Sequence, residues 1–156
     1  MQKIRPFLWF EDQAEEAMNF YVSIFKDSEI LSVSRSGEGG PSSAGTAMSV
    51  TFRLGTQEFV AFNAGPQFKF TDAISFFVDC KTQAEVDDLW EKLSAGGEKS
   101  RCGWLKDKFG LSWQIIPTAL GEMLGDPDAQ KSQRVMEAML KMDKIDIKTL
   151  QQAYDR

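Results

Sequence analysis

The tripeptide Gln-Ala-Glu occurs twice, at residues 13–15 and 83–85, and marks an internal repeat of about 70 residues. The same offset pairs Ile4 with Ile74, Leu8 with Val78, Asp12 with Thr82 and Phe20 with Trp90. The last strands of the two halves align through Gly55 and Gly110, which pairs Phe59 with Gln114 and Val60 with Ile115. One shared tripeptide is weak evidence. The same element order, helix cap and core spacing appearing twice is a strong constraint, because whatever one half folds into, the other must match.

Each half reads strand, helix, strand, strand, strand. Residues 4–10 form a near-continuous apolar run, the pattern of a strand covered on both faces. Asp12, with Glu15 three residues on, is predicted to cap a helix. Ala14, Ala17, Met18, Tyr21, Ile24 and Phe25 supply its apolar face. Strands over 29–34, 46–54 and 57–63 follow, with 37–45 a loop by composition. In the second half, residues 73–79 are the first strand. Thr82 and Glu85 make a full capping box, and Val86, Leu89, Trp90 and Leu93 give the helix its core face before Gly96 and Gly97 stop it. Residues 98–101, 104–108 and 111–116 are short strands, with Lys106, Asp107 and Lys108 reading as a solvated turn.

The tail beyond Pro117 lies outside the repeat. Asp126 and Pro127 are predicted to open a helix with Val135, Met136, Met139, Leu140 and Met142 on one face. Asp146 is predicted to cap a last helix with Leu150 and Ala153 inward. The expected fold is therefore α+β, two βαβββ repeats plus C-terminal helices. Residues 1–117 hold the paired modules (about 3–65 and 72–117), and 118–156 form a helical extension of the same domain.

The chain contains no histidine. That excludes a Ser-His-Asp triad, a Cys-His pair, an HExxH zinc site and any imidazole general base. Cys80 and Cys102 form no CxxC pair, so an all-cysteine zinc site and a thioredoxin-type motif are excluded too. Nothing at the N-terminus reads as a signal peptide, so both cysteines are expected to be reduced and the chain cytoplasmic. A formal charge of −5 argues against a nucleic-acid partner. No apolar run approaches the ~18 to 20 residues of a membrane span, so no membrane partner is expected. Phenylalanine is abundant, with 12 residues, which calls for a large aromatic core, an aromatic-lined cavity, or both.

Three segments carry a family resemblance: Pro6-Phe-Leu-Trp-Phe10 running on to Ala14-Glu-Glu-Ala17 and Asn19-Phe-Tyr21; Cys102-Gly-Trp-Leu-Lys-Asp-Lys-Phe-Gly-Leu-Ser-Trp-Gln114; and Arg134-Val-Met-Glu-Ala-Met139 with Lys144-Ile-Asp146. With the tandem βαβββ architecture, they make the chain resemble the vicinal oxygen chelate superfamily, the glyoxalase/bleomycin-resistance fold. Within it the chain is similar to the PhnB-like branch labelled "3-demethylubiquinone-9 3-methyltransferase". The resemblance implies a divalent metal held by four side chains, usually His and Glu, on cavity-facing strands. Here those positions fall at Arg5 or Pro6, Phe59, Ala73 and Gln114. Only Gln114 can coordinate, and only weakly, so no metal and no other cofactor is expected. The methyltransferase label lacks support in the residues. The first strand-to-helix join has no glycine, and the glycine-rich loop at 37–45 lies between two strands, where it cannot present a helix N-terminus to a cofactor.

Strand alternation proposes what lines the site instead. If Arg5 faces the cavity, Phe7 and Trp9 do as well. Ser75 and Phe77 follow by the repeat, with Phe59 and Asn63 on the fourth strand and Gln114 on the eighth. Core packing is the competing assignment for Phe7, Phe59 and Phe77. Arg5 needs a partner, either Glu11, Glu58 or an anionic ligand. The reading these residues favour is a metal-independent small-molecule binder with an aromatic pocket, or an enzyme lacking the usual metal site. The alternative is a homodimeric assembly module with a vestigial pocket, the Met-rich tail contributing to the dimer. A metal-dependent lyase or dioxygenase, or a methyltransferase, fits the residues less well.

Overall fold

The structure, a computed structural model, describes residues 1–35 and 47–156. The glycine-rich loop expected at 37–45 lies outside the described residues. The chain divides into two compact units, residues 1–69 and 70–156.

The first unit holds β1 (Phe7–Phe10), α1 (Ala14–Ile24), β2 (Ser28–Arg35), β3 (Ala47–Leu54) and β4 (Gln57–Asn63). The strands form a four-stranded sheet in the order β1-β4-β3-β2. β1 runs parallel to β4, and the other neighbours are antiparallel. The strict alternation of β3 puts Val50, Phe52 and Leu54 on one face, where they are buried with Leu8, Phe10, Phe59 and Ala61. α1 buries Ala14, Ala17, Met18, Tyr21 and Ile24, and the Tyr21 ring lies 6.1 Å from that of Phe52.

The predicted Asp12 cap is replaced by a tertiary one. The N-cap position is Gln13, without a side-chain cap bond. Instead Asn63 Oδ1 accepts from Ala14 N at 2.8 Å, and Asn63 Nδ2 donates to Ala47 O at 2.9 Å. Parallel pairing sets Asn63 beside Phe10, next to the start of α1, where its amide serves a helix end and a neighbouring strand together.

The second unit repeats the pattern with β5 (Ser75–Cys80), α2 (Gln83–Ser94), β6 (Glu98–Lys99), β7 (Trp104–Lys106) and β8 (Ser112–Pro117), in sheet order β5-β8-β7-β6. Thr82 caps α2 as predicted, its Oγ1 accepting from Glu85 N at 3.2 Å, while the Glu85 carboxylate reaches one residue further back than the box requires and accepts from Lys81 N at 3.2 Å. α2 buries Val86, Leu89, Trp90 and Leu93.

Three helices complete this unit: α3 (Thr118–Leu124), α4 (Ala129–Met139) and α5 (Ile147–Tyr154). Their apolar residues close one cluster with the last strand, made of Ile116, Leu120, Met123, Val135, Ile145 and Leu150. α4 starts two residues later than expected. Asp128 is its cap, accepting from Gln130 N and Lys131 N, while Asp126 accepts from Asp128 N and from the Tyr154 hydroxyl. Of the predicted Met-rich face, Val135 is buried and Met139 and Met142 pack on the cluster, but Met136 and Leu140 stand exposed. Among the described residues no helix is long and apolar enough to cross a membrane.

Candidate functional site

Strand register decides which side chains can serve a ligand. In each module one sheet face is covered by the helix, and functional side chains must come from the other. Phe7 lies opposite Val60, and its repeat partner Phe77 lies opposite Gln114. The structural counterpart of Gln114 is therefore Val60. The glycine alignment that paired Gln114 with Phe59 is one residue out, because the hairpins differ. Gly55 and Thr56 alone join β3 to β4, whereas Asp107 to Leu111 join β7 to β8. A one-residue slip exchanges the faces of a strand.

The consequence is a correction for two proposed pocket residues. Phe59 is 5% exposed and stacks on Phe52 at 5.2 Å on the helix side. Asn63 is spent on the α1 start and on Ala47. Neither reaches the open face of the first sheet. That face carries two cross-strand rows, Phe7–Val60–Thr51–Ser32 and Trp9–Phe62–Ser49–Ser34. Phe7 is 58% exposed, with its ring 6.0 Å from Phe62. Trp9 donates Nε1–H to Gly65 O at 2.9 Å and meets Phe68 edge-on at 4.9 Å. Arg5 precedes β1, half-buried. Its anticipated partners are engaged elsewhere, Glu58 accepting from Gln2 N and Glu11 lying 3.9 Å from Lys69.

The open face of the second sheet brings Ser75, Phe77 and Gln114 together. One row reads Phe77–Gln114–Trp104, and the next reads Ser75–Ser112–Lys106. Gln114 Nε2 donates to Ser75 Oγ at 3.0 Å. That leaves the amide one more N–H and its carbonyl oxygen. Asp72, in the loop before β5, accepts from Ser112 Oγ at 3.1 Å and pairs with Lys106 Nζ at 3.2 Å. Hydrogen bonds from Lys106 and then Ser112 hold the Asp72 carboxyl below the ordinary carboxylate range. As pH falls through that lowered value, Asp72 protonates and Lys106 loses its counter-charge.

Asp72, Trp104, Lys106 and Ser112 from these rows, with Glu98, Arg101 and Cys102, line an open concavity of about 510 Å³; Ser75, Phe77 and Gln114 continue the same face beyond its lining. The repeat and strand alternation point to Ser75 and Phe77, and the family resemblance points to Gln114. Trp104 and Lys106 follow only once the antiparallel register of β7 on β8 is known. Asp72 lies in a loop, where alternation gives no signal.

The donor set does not fit a divalent metal. With the register corrected, the superfamily's ligand positions read Arg5 or Pro6, Val60, Ala73 and Gln114. Ala73 precedes β5, and Gln114 is the one side chain of this set with an oxygen donor. Among the described residues no three His, Cys, Asp or Glu side chains come together as a metal-binding group. An S-adenosylmethionine site of the doubly wound type is not supported either: neither strand-to-helix join, residues 11–13 or 81–82, contains a glycine. Cys80 and Cys102 are free thiols. Burial pushes the Cys80 thiol up to about 12, with the nearby Glu85 and Asp79 charges adding to it.

The model of the family described as 3-demethylubiquinone-9 3-methyltransferase matches residues 2–116. A Bacillus cereus structure described by that family name, and as a PhnB protein, is 43% identical with a TM-score of 0.70; the match covers 75% of this chain and all of the other. Protein PA1353 from Pseudomonas aeruginosa is 20% identical with a TM-score of 0.63, over 75% of this chain and 98% of the other. The fosfomycin resistance protein FosX from Mesorhizobium loti is 15% identical with a TM-score of 0.58, over 81% of this chain and all of the other. These last two likenesses speak for the fold alone. No curated protein matches the chain.

Proposed function

The chain belongs to the 3-demethylubiquinone-9 3-methyltransferase family, the PhnB-like branch of the vicinal oxygen chelate superfamily, and from that premise we propose that it binds a small flat molecule without a metal, on the open face of its second sheet. The observation that carries this reading is Phe77, an aromatic side chain left 56% exposed in the same cross-strand row as Gln114 and Trp104, the last of which lines the concavity. Exposed aromatic surface next to convergent polar groups is the ordinary make-up of a small-molecule site. Phe77 and Trp104 flank the Gln114 amide, an arrangement suited to a ring whose edge both donates and accepts hydrogen bonds. The Ser75–Ser112–Lys106 row and Asp72 supply polar contacts for its substituents. The family name is not carried over as an activity, because neither a metal nor a methyl-donor site of the usual kind fits these residues.

The test is a thermal-melt screen with a set of aromatic and heteroaromatic amides, run in the presence of a chelator. Amides that raise the melting temperature are expected to lose about tenfold or more in affinity in Gln114→Leu, the worth of one buried hydrogen bond to a ligand. Phe77→Ala should weaken them similarly. Stabilisation that needs added metal, or that both variants retain, contradicts the proposal.

A second reading, a homodimeric assembly module with a vestigial pocket, draws on Met136 of α4 and Leu140 at its C-terminal cap, both exposed. It predicts that Met136→Lys with Leu140→Lys converts a dimer to a monomer, measured as mass in solution. An unchanged mass removes α4 from such an interface.

A further inference from the structure

The segment between α4 and α5 grips two parts of the second unit at once. On one side it holds the turn before β7. Cys102 N–H donates to Met142 O at 2.9 Å, and Gly103 N–H donates to Asp143 O at 2.8 Å. The Cys102 thiol lies 3.6 Å from Met139 O. On the other side it is held by α2. Gln83 Nε2 donates to Ile145 O at 2.9 Å, and Gln83 Oε1 accepts from Ile147 N at 2.7 Å. Lys144 Nζ pairs with Asp87 Oδ1 at 2.9 Å, and that carboxylate also accepts from Gln83 Nε2.

The turn that is gripped is an unusual one. Cys102 has φ +58°, a left-handed conformation that side chains rarely adopt, and Gly103 follows at φ +83°. Contacts around it are close. A Cβ on Gly103 would come 2.7 Å from Ile116 Cδ1 and 3.2 Å from Ile145 Cγ1, and Ile145 is fully buried. The same turn is the rim of the candidate site. Arg101 and Cys102 line the concavity, and Trp104 follows directly. The family match ends at residue 116, so the two carbonyls that accept from Cys102 and Gly103, those of Met142 and Asp143, come from outside the matched segment.

We infer that residues 142–147 are a positioning strut for the rim of the candidate site, anchored on α2 by Gln83. The strut holds the Cys102–Gly103 turn in its left-handed form and thereby sets where Arg101 and Trp104 stand. The role in binding rests on the reading of the concavity given above, but the strut itself can be tested with no ligand present. If both hold, filling the concavity and docking the strut favour each other by the same factor.

The two cysteines separate a local release of the rim from global unfolding. Cys102 sits on the gripped turn, whereas Cys80 is fully buried on β5. The full-length protein is treated with iodoacetamide under native conditions, and labelling of each cysteine is followed by mass spectrometry. Gln83→Ala is expected to raise the Cys102 rate by about tenfold or more while Cys80 stays unlabelled, the signature of sub-global opening. Amide exchange at Cys102 and Gly103 should rise in parallel. Lys144→Ala removes only the exposed ion pair and so keeps the fold; it should move the Cys102 rate the same way by a smaller factor. An unchanged Cys102 rate in both variants overturns the inference. So does Cys80 labelling in step with Cys102, since the segment would then serve overall stability alone.

Discussion

Replacing Asp107 by alanine is expected to cost about 3 kcal/mol or more of unfolding free energy, because it strands several buried N–H donors at once. Asp107 is 2% exposed. Its Oδ1 accepts from Phe109 N at 2.9 Å and Leu111 N at 3.1 Å, and its Oδ2 accepts from the Trp113 indole N–H at 2.9 Å. One carboxylate thus closes the β7–β8 turn and ties it to the core tryptophan behind Gln114. Asp107→Asn keeps one acceptor oxygen but turns an amide N–H₂ toward the Trp113 N–H. It should cost less than alanine, roughly 1 to 2 kcal/mol. Urea denaturation with matched slopes measures both. A loss below about 0.5 kcal/mol for alanine, the range of ordinary surface changes, would mean that the turn does not depend on this carboxylate.

Gly97→Ala is the second large effect. Gly97 lies just before β6, and a Cβ there would sit 2.1 Å from Lys106 O and 2.7 Å from Asp107 C. Both are backbone atoms, so no side-chain rotation relieves the overlap. The pairing of Glu98 with Lys106 and Lys99 with Leu105 must shift, and Lys106 moves away from Asp72. A loss of about 3 kcal/mol is expected, at the upper end of overpacking costs. Gly55→Ala is the control. Its φ of +59° strains a side chain, but a Cβ there meets nothing within 4 Å. It should therefore cost only about 1 to 2 kcal/mol, from backbone conformation alone. Equal losses in the two variants would rule out the steric explanation.

These two residues also show where sequence reasoning stops. The repeat, both repeat helices and the order of elements along the chain are legible because apolar spacing is a local signal and it appears twice. Thr82 was legible as a cap because the pattern lies within four residues. The cap of α1 was not, since its acceptor is Asn63, 49 positions away. Asp107 sits between two lysines and looks solvated in sequence. In the fold it is buried and accepts from the indole of Trp113, six positions on, a pairing the sequence does not signal. The face of β4 was misread for a related reason. Glycines mark turns, but they do not count the residues between turn and strand, and the two β-hairpins differ in that count. Ser75 and Phe77 share one face by alternation, and Gln114 is legible as a site position only through the family resemblance. Trp104, Lys106 and Asp72 join them only through tertiary register.

The central claim, a metal-independent small-molecule site on the open face of the second sheet, is tested most directly by the four tryptophan indole signals in a two-dimensional ¹H–¹⁵N NMR titration. The titrant is an aromatic amide selected by the thermal screen, added in the presence of a chelator. Trp104 borders the concavity, Trp90 and Trp113 are buried, and Trp9 donates to Gly65 in the first unit. The account predicts a saturable shift of the Trp104 signal in chelator, with Trp90 and Trp113 nearly still. A Trp104 signal that moves only after a divalent metal is restored, or never moves while the amide binds, would contradict it.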